Sequence, residues 1–125
     1  MKSSNNREKV ILVADDDPGI LEVIGIILSD KGYKIAAVDN PVLITKTIKE
    51  THPRLILIDL WMSGMDGHEA IQIIKRDPAF KHLPIVVISA LTDGEKIAAA
   101  AGADDFLAKP FDLEDLLAIV KKYSS

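Results

Sequence analysis

Acidic, hydroxyl and amino side chains follow four short aliphatic runs of this chain. The run VILVA ends at aspartates 15–17, LILI ends at Asp59, IVVI ends at Ser89 and FLA ends at Lys109. Two carboxylates about 4 Å apart repel each other by roughly 4 kcal/mol at an effective dielectric constant near 20, so clustered aspartates require a cation. Mg²⁺ prefers carboxylate and carbonyl oxygens and often shares its coordination shell with a phosphate. Carboxylates, a lysine and a hydroxyl around such an ion suit phosphoryl transfer to a carboxylate nucleophile. Asp59, the lone acid at the centre of the row, is the candidate nucleophile.

Each of these residues also has an ordinary structural interpretation. Asp17 precedes Pro18, so we favour it as the N-cap of a helix over a chemical role. Taken singly, the other residues could equally be turn, capping or surface residues. Their joint placement favours the chemical interpretation, because loop polarity alone would not put carboxylates after two strands and a lysine after another.

The aliphatic runs predict the strands that position these residues. Three four-residue runs without polar alternation, 10–13, 55–58 and 85–88, are typical of central strands in a parallel sheet that is covered on both faces. Two weaker runs, 34–38 and 106–108, predict strands at the edges.

Helical patterns alternate with these runs. An apolar stripe over 20–28 stops at Gly32, and a second stripe over 113–120 follows Asp112, a good N-cap. The other predicted helices run from Asn40 and Pro41 toward Glu50, from Asp66 or Gly67 through Lys75, and from Thr92 to Gly102. Five strand-helix units predict an α/β fold: a doubly wound, five-stranded parallel sheet of order 2-1-3-4-5. Ligands of such sheets bind beyond the carboxyl ends of the strands, where the polar residues lie.

Length and composition limit the classes of protein. The 125 residues predict one domain, 1–125, with flexible tails at 1–8 and 124–125. The net charge is −4 and the 15 Lys and Arg are scattered, which argues against direct binding to nucleic acid. The absence of Cys fits a reducing compartment. Without a signal sequence or an apolar run long enough for a membrane span, we expect a soluble cytoplasmic protein.

Four segments together resemble the receiver domain of two-component response regulators, the CheY-like family with a flavodoxin-like (βα)5 sandwich. They are VILVADDDP, LILIDLWMSGMDG, IVVISA and GADDFLAKPF. The resemblance spans essentially the whole chain, and the motifs are highly specific as a set. It implies signal transduction in a phosphorelay through an aspartyl phosphate, rather than turnover of a substrate by an enzyme.

The resemblance implies the roles of the reacting groups. Asp59 would accept a phosphoryl group from the phosphohistidine of a sensor histidine kinase or phosphotransfer protein. Lys109 would pair with Asp59 and then with the phosphoryl oxygens, and Ser89 would hydrogen-bond the phosphoryl group. Pro110 would follow a cis peptide bond.

The resemblance also implies a Mg²⁺ site. Asp16 would ligate the ion directly and Asp15 through water, while Asp59 and the backbone carbonyl of Trp61 would complete the protein ligands.

A conformational switch is implied at Ser89 and Phe106. Movement of Ser89 toward the phosphoryl group would free space for Phe106 to turn inward; the alternative is that Phe106 is simply a core residue. Trp61 and Leu91, each two residues beyond a reacting position, should flank the path of an attacking water and slow hydrolysis of the aspartyl phosphate.

Three features depart from the family pattern. Ser63 replaces the usual proline after the acceptor, next to Gly64, which predicts a more mobile loop. The segment 92–102 is short and has Gly94 in its first turn, which places the usual output surface in doubt. No output domain follows Tyr123, so the chain is either a stand-alone receiver or part of a larger regulator whose downstream effector is unknown.

Two alternative functions remain open. One is a phosphorylation-independent interaction module with the same fold, against which the intact Asp16, Asp59 and Lys109 argue. The other is a Mg²⁺-dependent phosphatase with an aspartate nucleophile. Such an enzyme usually needs a second acid two residues after the nucleophile to protonate the leaving group, and Trp61 occupies that place.

Overall fold

A five-stranded parallel sheet forms the centre of the molecule. The structure is a computed structural model that describes residues 9–62 and 65–124. The sheet order is β2-β1-β3-β4-β5, as the hydrophobicity of the strands predicts. The strands are β1 (Lys9–Ala14), β2 (Tyr33–Val38), β3 (Leu55–Asp59), β4 (Ile85–Ser89) and β5 (Asp105–Ala108). Two further short strands, Trp61–Met62 and Met65–Asp66, pair antiparallel after β3.

Five α-helices connect and flank the strands. They are α1 (Pro18–Asp30), α2 (Ile44–Thr51), α3 (Gly67–Arg76), α4 (Gly94–Ala101) and α5 (Leu113–Ser124). Two begin later than predicted. Asn40 caps a 3₁₀ turn, Pro41–Leu43, and the α-helix starts only at Ile44, since tighter turns often precede an α-helix. The fourth helix begins at Gly94 and not at Thr92, because residues 91–93 form a turn closed by a hydrogen bond from Gly94 N–H to the Leu91 carbonyl.

Both faces of the sheet are buried, which explains the unbroken aliphatic runs. Leu12 and Ala14 point toward the layer made by α2, α3 and α4, whereas Ile11 and Val13 point toward the layer made by α1 and α5. Full burial of each large aliphatic side chain contributes roughly 1.5–3 kcal/mol, so the sheet is a rigid support for the loops at its edges.

The end of α5 corrects one expectation. Ser124 is buried, its hydroxyl donates to the Tyr33 hydroxyl at 3.2 Å, and its carbonyl accepts from Arg54 at 3.3 Å. The prediction that a flexible tail begins at residue 124 is therefore wrong, because packing against β2 and the start of β3 fixes this residue. Residues 1–8 and Ser125 lie outside the described part of the chain.

Within the described residues, no helix combines the length and apolar character needed to cross a bilayer.

Candidate functional site

The carboxyl ends of four strands bring the predicted site residues to one edge of the sheet. Asp15 directly follows β1, Asp59 ends β3, Ser89 ends β4 and Lys109 directly follows β5. In the ladder, Asp59 pairs with Ile88, one residue before Ser89. Parallel pairing therefore brings all four residues to the same edge, with Ser89 and Lys109 slightly further along the strand direction than Asp59.

Lys109 joins two of the carboxylates. Its Nζ lies 2.7 Å from Asp15 Oδ2 and 3.4 Å from Asp59 Oδ2. The shorter contact is to Asp15, which sequence reasoning assigned only to the metal. Asp15 N–H donates to the Val38 carbonyl at 3.0 Å, so this residue continues the sheet ladder and is 2% exposed. A buried carboxylate needs a cation more than an exposed one does.

Burial and charge perturb both partners of this arrangement. Burial raises the pKa of Asp59 above its ordinary value; the positive charge of Lys109 opposes the rise, and the negative charge of Asp15 adds to it. Burial lowers the pKa of Lys109, but its hydrogen bond to Asp15 and the charges of both aspartates outweigh burial and raise the pKa overall. The site thus holds a charged lysine and crowded carboxylates.

Three carboxylates form a group that fits a hard divalent cation. One oxygen from each of Asp15, Asp16 and Asp59 lies within 4.8 Å of the other two. Opposite oxygens around Mg²⁺ are about 4.2 Å apart, since each lies about 2.1 Å from the ion. Asp16 is exposed to solvent, which suits an ion that keeps several waters. The donor type, the spacing and the access therefore all fit Mg²⁺.

Asp17 has the capping role that its place before Pro18 favours. Its Oδ1 accepts from Gly19 N–H at 2.8 Å and from Ile20 N–H at 3.4 Å. Its own N–H donates to Asp15 Oδ1 at 2.9 Å, which helps to orient that carboxylate. Asp17 thus supports the acidic group without being part of it.

Ser89 and Phe106 lie on neighbouring strands beside the site. Ser89 is buried, and its Oγ accepts from Leu91 N–H at 3.0 Å. Lys109 N–H donates to the Ser89 carbonyl at 2.9 Å, which holds β4 and β5 together at the site. Phe106 is partly buried and packs against the core on the α2–α4 face. The Lys109–Pro110 bond is cis, as the resemblance implies.

Two residues with large apolar side chains follow Asp59 and Ser89 by two places. Trp61 is 58% exposed and Leu91 is 47% exposed. Trp61 N–H donates to Asp59 Oδ1 at 3.4 Å, and Leu91 N–H donates to Ser89 Oγ. Each is thus tied through its backbone to the residue two places before it. Ser63 and Gly64, the departure in this loop, lie outside the described residues.

Gly67 shapes the loop after Asp59, a role that sequence reasoning missed. A Cβ there would lie 2.7 Å from the Asp59 carbonyl oxygen and 2.9 Å from Leu60 Cα. Its N–H donates to the Leu60 carbonyl at 2.6 Å. Only a glycine allows α3 to start this close to the acceptor strand. In the sequence, only the position of the glycine, at the predicted start of the helix, could have indicated this close packing.

A doubly wound sheet with acids, a hydroxyl and a lysine at its carboxyl edge defines the receiver class of signalling domain. The chain belongs to the response regulator receiver domain family, whose sequence pattern it matches over residues 11–121.

Relatives and solved structures agree with this membership. The DNA-binding response regulator MtrA of Mycolicibacterium smegmatis is 34% identical over 113 residues, which are 89% of this chain and 48% of the relative. The chain therefore spans about half the length of this relative. The receiver domain of a histidine kinase from Syntrophus aciditrophicus superposes with a TM-score of 0.84 at 30% identity, covering 92% of this chain and 89% of that one.

One similar solved structure contains a magnesium ion. The receiver domain of a sensor histidine kinase from Pseudomonas aeruginosa PAO1, solved with a magnesium ion coordinated in its active-site cleft, superposes with a TM-score of 0.84 at 26% identity. The match covers 93% of this chain and 97% of that one. The acidic group found here is of the kind that such an ion requires.

Proposed function

We propose that this chain is a single receiver domain that accepts a phosphoryl group on Asp59 from the phosphohistidine of a sensor histidine kinase or phosphotransfer protein. The observation that carries the proposal is the position of Lys109, whose ammonium group contacts both Asp15 and Asp59. A lysine held beside a partly buried carboxylate can neutralise a phosphoryl group that is attached there.

The residues of the site supply the steps of the transfer. An oxygen of Asp59 attacks phosphorus, the phosphorus–nitrogen bond of phosphohistidine breaks, and its electron pair remains on the imidazole. Lys109 neutralises the charge on the phosphoryl oxygens. Ser89 Oγ accepts a hydrogen bond from Leu91 N–H, so its own hydrogen is available for a phosphoryl oxygen.

Asp15, Asp16, Asp59 and the backbone carbonyl of Trp61 would hold Mg²⁺, with Asp15 acting through water. The bound ion would neutralise negative charge on the carboxylates and on the transferring group. Without the ion, phosphoryl transfer should be slow, because the negatively charged phosphoryl group would have to approach several crowded carboxylates.

The phosphorylated domain would act as a signal to a partner. The domain would catalyse only its own phosphorylation and dephosphorylation and would change its partner-binding surface through Ser89 and Phe106. We propose that the domain itself does not bind nucleic acid, in agreement with its net charge of −4. The name of the MtrA relative suggests a DNA-binding regulator as one context, with an effector or output domain that stays unidentified.

Mass spectrometry tests the proposed acceptor directly. The chain is incubated with acetyl phosphate and Mg²⁺, and one added phosphoryl group is expected. When Mg²⁺ is chelated before the incubation, no addition is expected. Asp59→Asn should show none, whereas the matched control Asp115→Asn, an exposed position on α5, should be modified like the wild type. An unmodified wild-type chain would favour the phosphorylation-independent interaction module instead.

A further inference from the structure

The first residue of α4 lies directly against both proposed switch residues. Gly94 is buried, and a Cβ built on it would lie 3.0 Å from Phe106 Cε1, 3.2 Å from Phe106 Cζ and 3.2 Å from Ser89 Cβ. Carbon atoms attract best at about 3.5–4.0 Å, so a methyl group would be too close to all three atoms. A side chain at residue 94 would therefore press on the Phe106 ring and on Ser89, and one of them would have to move by a few tenths of an ångström.

Backbone conformation does not explain this glycine. Gly32 and Gly102 have positive φ angles of 90° and 99°, but Gly94 is not among the positive-φ glycines. It starts a helix that contains four consecutive alanines, 98–101, and alanine favours a helix more than glycine does. The requirement at residue 94 is thus steric, and the atoms that impose it belong to Ser89 and Phe106.

The surroundings show where the ring would go if this space were filled. A cavity of about 190 Å³ lies between α4 and β5, and Glu95, Ala98 and Phe106 are among its lining residues. Phe106 already borders this cavity, so its ring has open space on this side. The backbone at Gly94 is less free, because its N–H donates to the Leu91 carbonyl at 3.1 Å.

We propose that Gly94 is a positioning residue for the phosphorylation switch: it keeps open the space beside Ser89 that the Phe106 ring occupies. This inference rests on the proposed function, since it assigns Gly94 a part in the regulation of the same site. A side chain at residue 94 pushes the ring toward the cavity between α4 and β5. If the inward ring and the phosphoryl-facing position of Ser89 favour each other, displacement of the ring also disfavours phosphorylation, because such coupling is reciprocal.

Two measurements on Gly94→Ala test the proposal. Nuclear Overhauser contacts between the Phe106 ring and the Ser89 β-protons report the ring position without any phosphodonor. The rate of phosphorylation by acetyl phosphate reports the coupling. In Gly94→Ala, we expect these contacts to weaken and the rate to fall several-fold. Gly25→Ala is the matched control, because a Cβ at that helical glycine would meet no atom within 4 Å; it should change neither measurement.

Removal of the ring separates the proposed mechanism from a general effect on α4. In a Phe106→Ala background, the change at residue 94 should no longer alter the phosphorylation rate. A Gly94→Ala variant that fails to fold, while Gly94→Ala/Phe106→Ala folds, would equally support competition between the methyl group and the ring. Ring contacts of unchanged intensity in Gly94→Ala, or the same fall in rate with and without the ring, would overturn the proposal. If wild-type Asp59 is not phosphorylated at all, the proposed function fails. The ring contacts would still show whether a side chain at residue 94 displaces the Phe106 ring.

Discussion

The ammonium group of Lys109 lies closer to Asp15 than to Asp59, at 2.7 Å against 3.4 Å. The lysine thus contacts the most buried carboxylate of the site at short range and the proposed acceptor at longer range. A phosphoryl group on Asp59 would bring additional negative charge to the side of the lysine that is less tightly bound. We therefore expect Lys109 both to stabilise the unphosphorylated site and to respond to phosphorylation.

Replacement of Lys109 should destabilise the domain. In Lys109→Met, Asp15 stays buried without its cation, and the free energy of unfolding should fall by about 3 kcal/mol in metal-free buffer. Urea denaturation measures this loss. The control is Lys122→Met, which removes an exposed lysine 3.7 Å from Asp105 and should cost less than about 1 kcal/mol. Equal losses in the two variants would contradict the stabilising role of the Lys109–Asp15 pair.

Neutralisation of Asp59 should stabilise the metal-free domain. Burial and the neighbouring Asp15 both disfavour the charged form of Asp59, as its raised pKa indicates. We expect Asp59→Asn to increase the free energy of unfolding by about 1 kcal/mol, with a smaller gain when Mg²⁺ is present. Thermal melts with and without Mg²⁺ provide the measurement. Asp115→Asn removes the same charge from an exposed position and should bring no such gain; a lower melting temperature for Asp59→Asn would show that the acids are not strained.

Binding of Mg²⁺ should change the fluorescence of Trp61. This is the single tryptophan of the chain, and its backbone N–H donates to Asp59 Oδ1 at 3.4 Å. Titration with Mg²⁺ should give a saturable change, and a small phosphodonor should add a second one. Asp16→Asn should weaken the apparent affinity for Mg²⁺, whereas Asp115→Asn should leave it unaltered. A signal that responds to neither addition would argue against the assigned site.

Trp61 and Leu91 should lengthen the lifetime of the aspartyl phosphate. Both side chains are large, apolar and exposed, and the backbone N–H of each residue contacts Asp59 or Ser89, so we expect the side chains to obstruct an in-line water. Trp61→Asn and Leu91→Ala should each shorten the lifetime several-fold, as measured by decay of the phosphorylated chain after removal of the phosphodonor. Val42→Ala, which truncates an exposed apolar residue outside the site, serves as the control. The idea fails if both site variants decay at or below the wild-type rate.

Acid should weaken the attachment of α5 to β5. Burial raises the pKa of Asp105. This effect is outweighed by hydrogen bonds of 2.8 Å from Phe106 N–H and from the Tyr123 hydroxyl, and by the positive charge of Lys122. The pKa of Asp105 is therefore lowered below its ordinary 3.8. A lowered pKa means that the unfolded chain binds the proton more readily. The stabilisation from Asp105 is therefore complete well above pH 3.8 and is lost as the pH falls toward the lowered value.

The Asp105→Asn variant tests this pH dependence. Urea midpoints measured between about pH 3 and pH 6 should change less steeply with pH in this variant than in the wild type. Tyr123→Phe, which removes one of the hydrogen bonds, should give an intermediate slope. Identical slopes in all three proteins would show that Asp105 does not contribute to acid sensitivity.

Local patterns in the sequence determined the strands, the edge of the sheet that carries the site, and the cap of the first helix. Unbroken aliphatic runs predicted the three central strands, and the helices between them required parallel pairing, so the polar residues after four strands had to reach one edge. Asp17 before Pro18 predicted a helix cap, and the cap is present. These features follow from neighbours within a few residues and from the two faces that a strand presents.

Only the tertiary structure decided which of these residues touch. Asp15 and Lys109 are 94 positions apart, and no spacing in the sequence indicates that the lysine lies nearer to Asp15 than to Asp59. The steric roles of Gly67 and Gly94 likewise depend on how closely two elements pack, since a glycine in the sequence does not show which atom a side chain would meet. Secondary structure follows from short-range periodicity, whereas a difference of 0.7 Å between two ion pairs depends on the packing of the whole sheet and its helices.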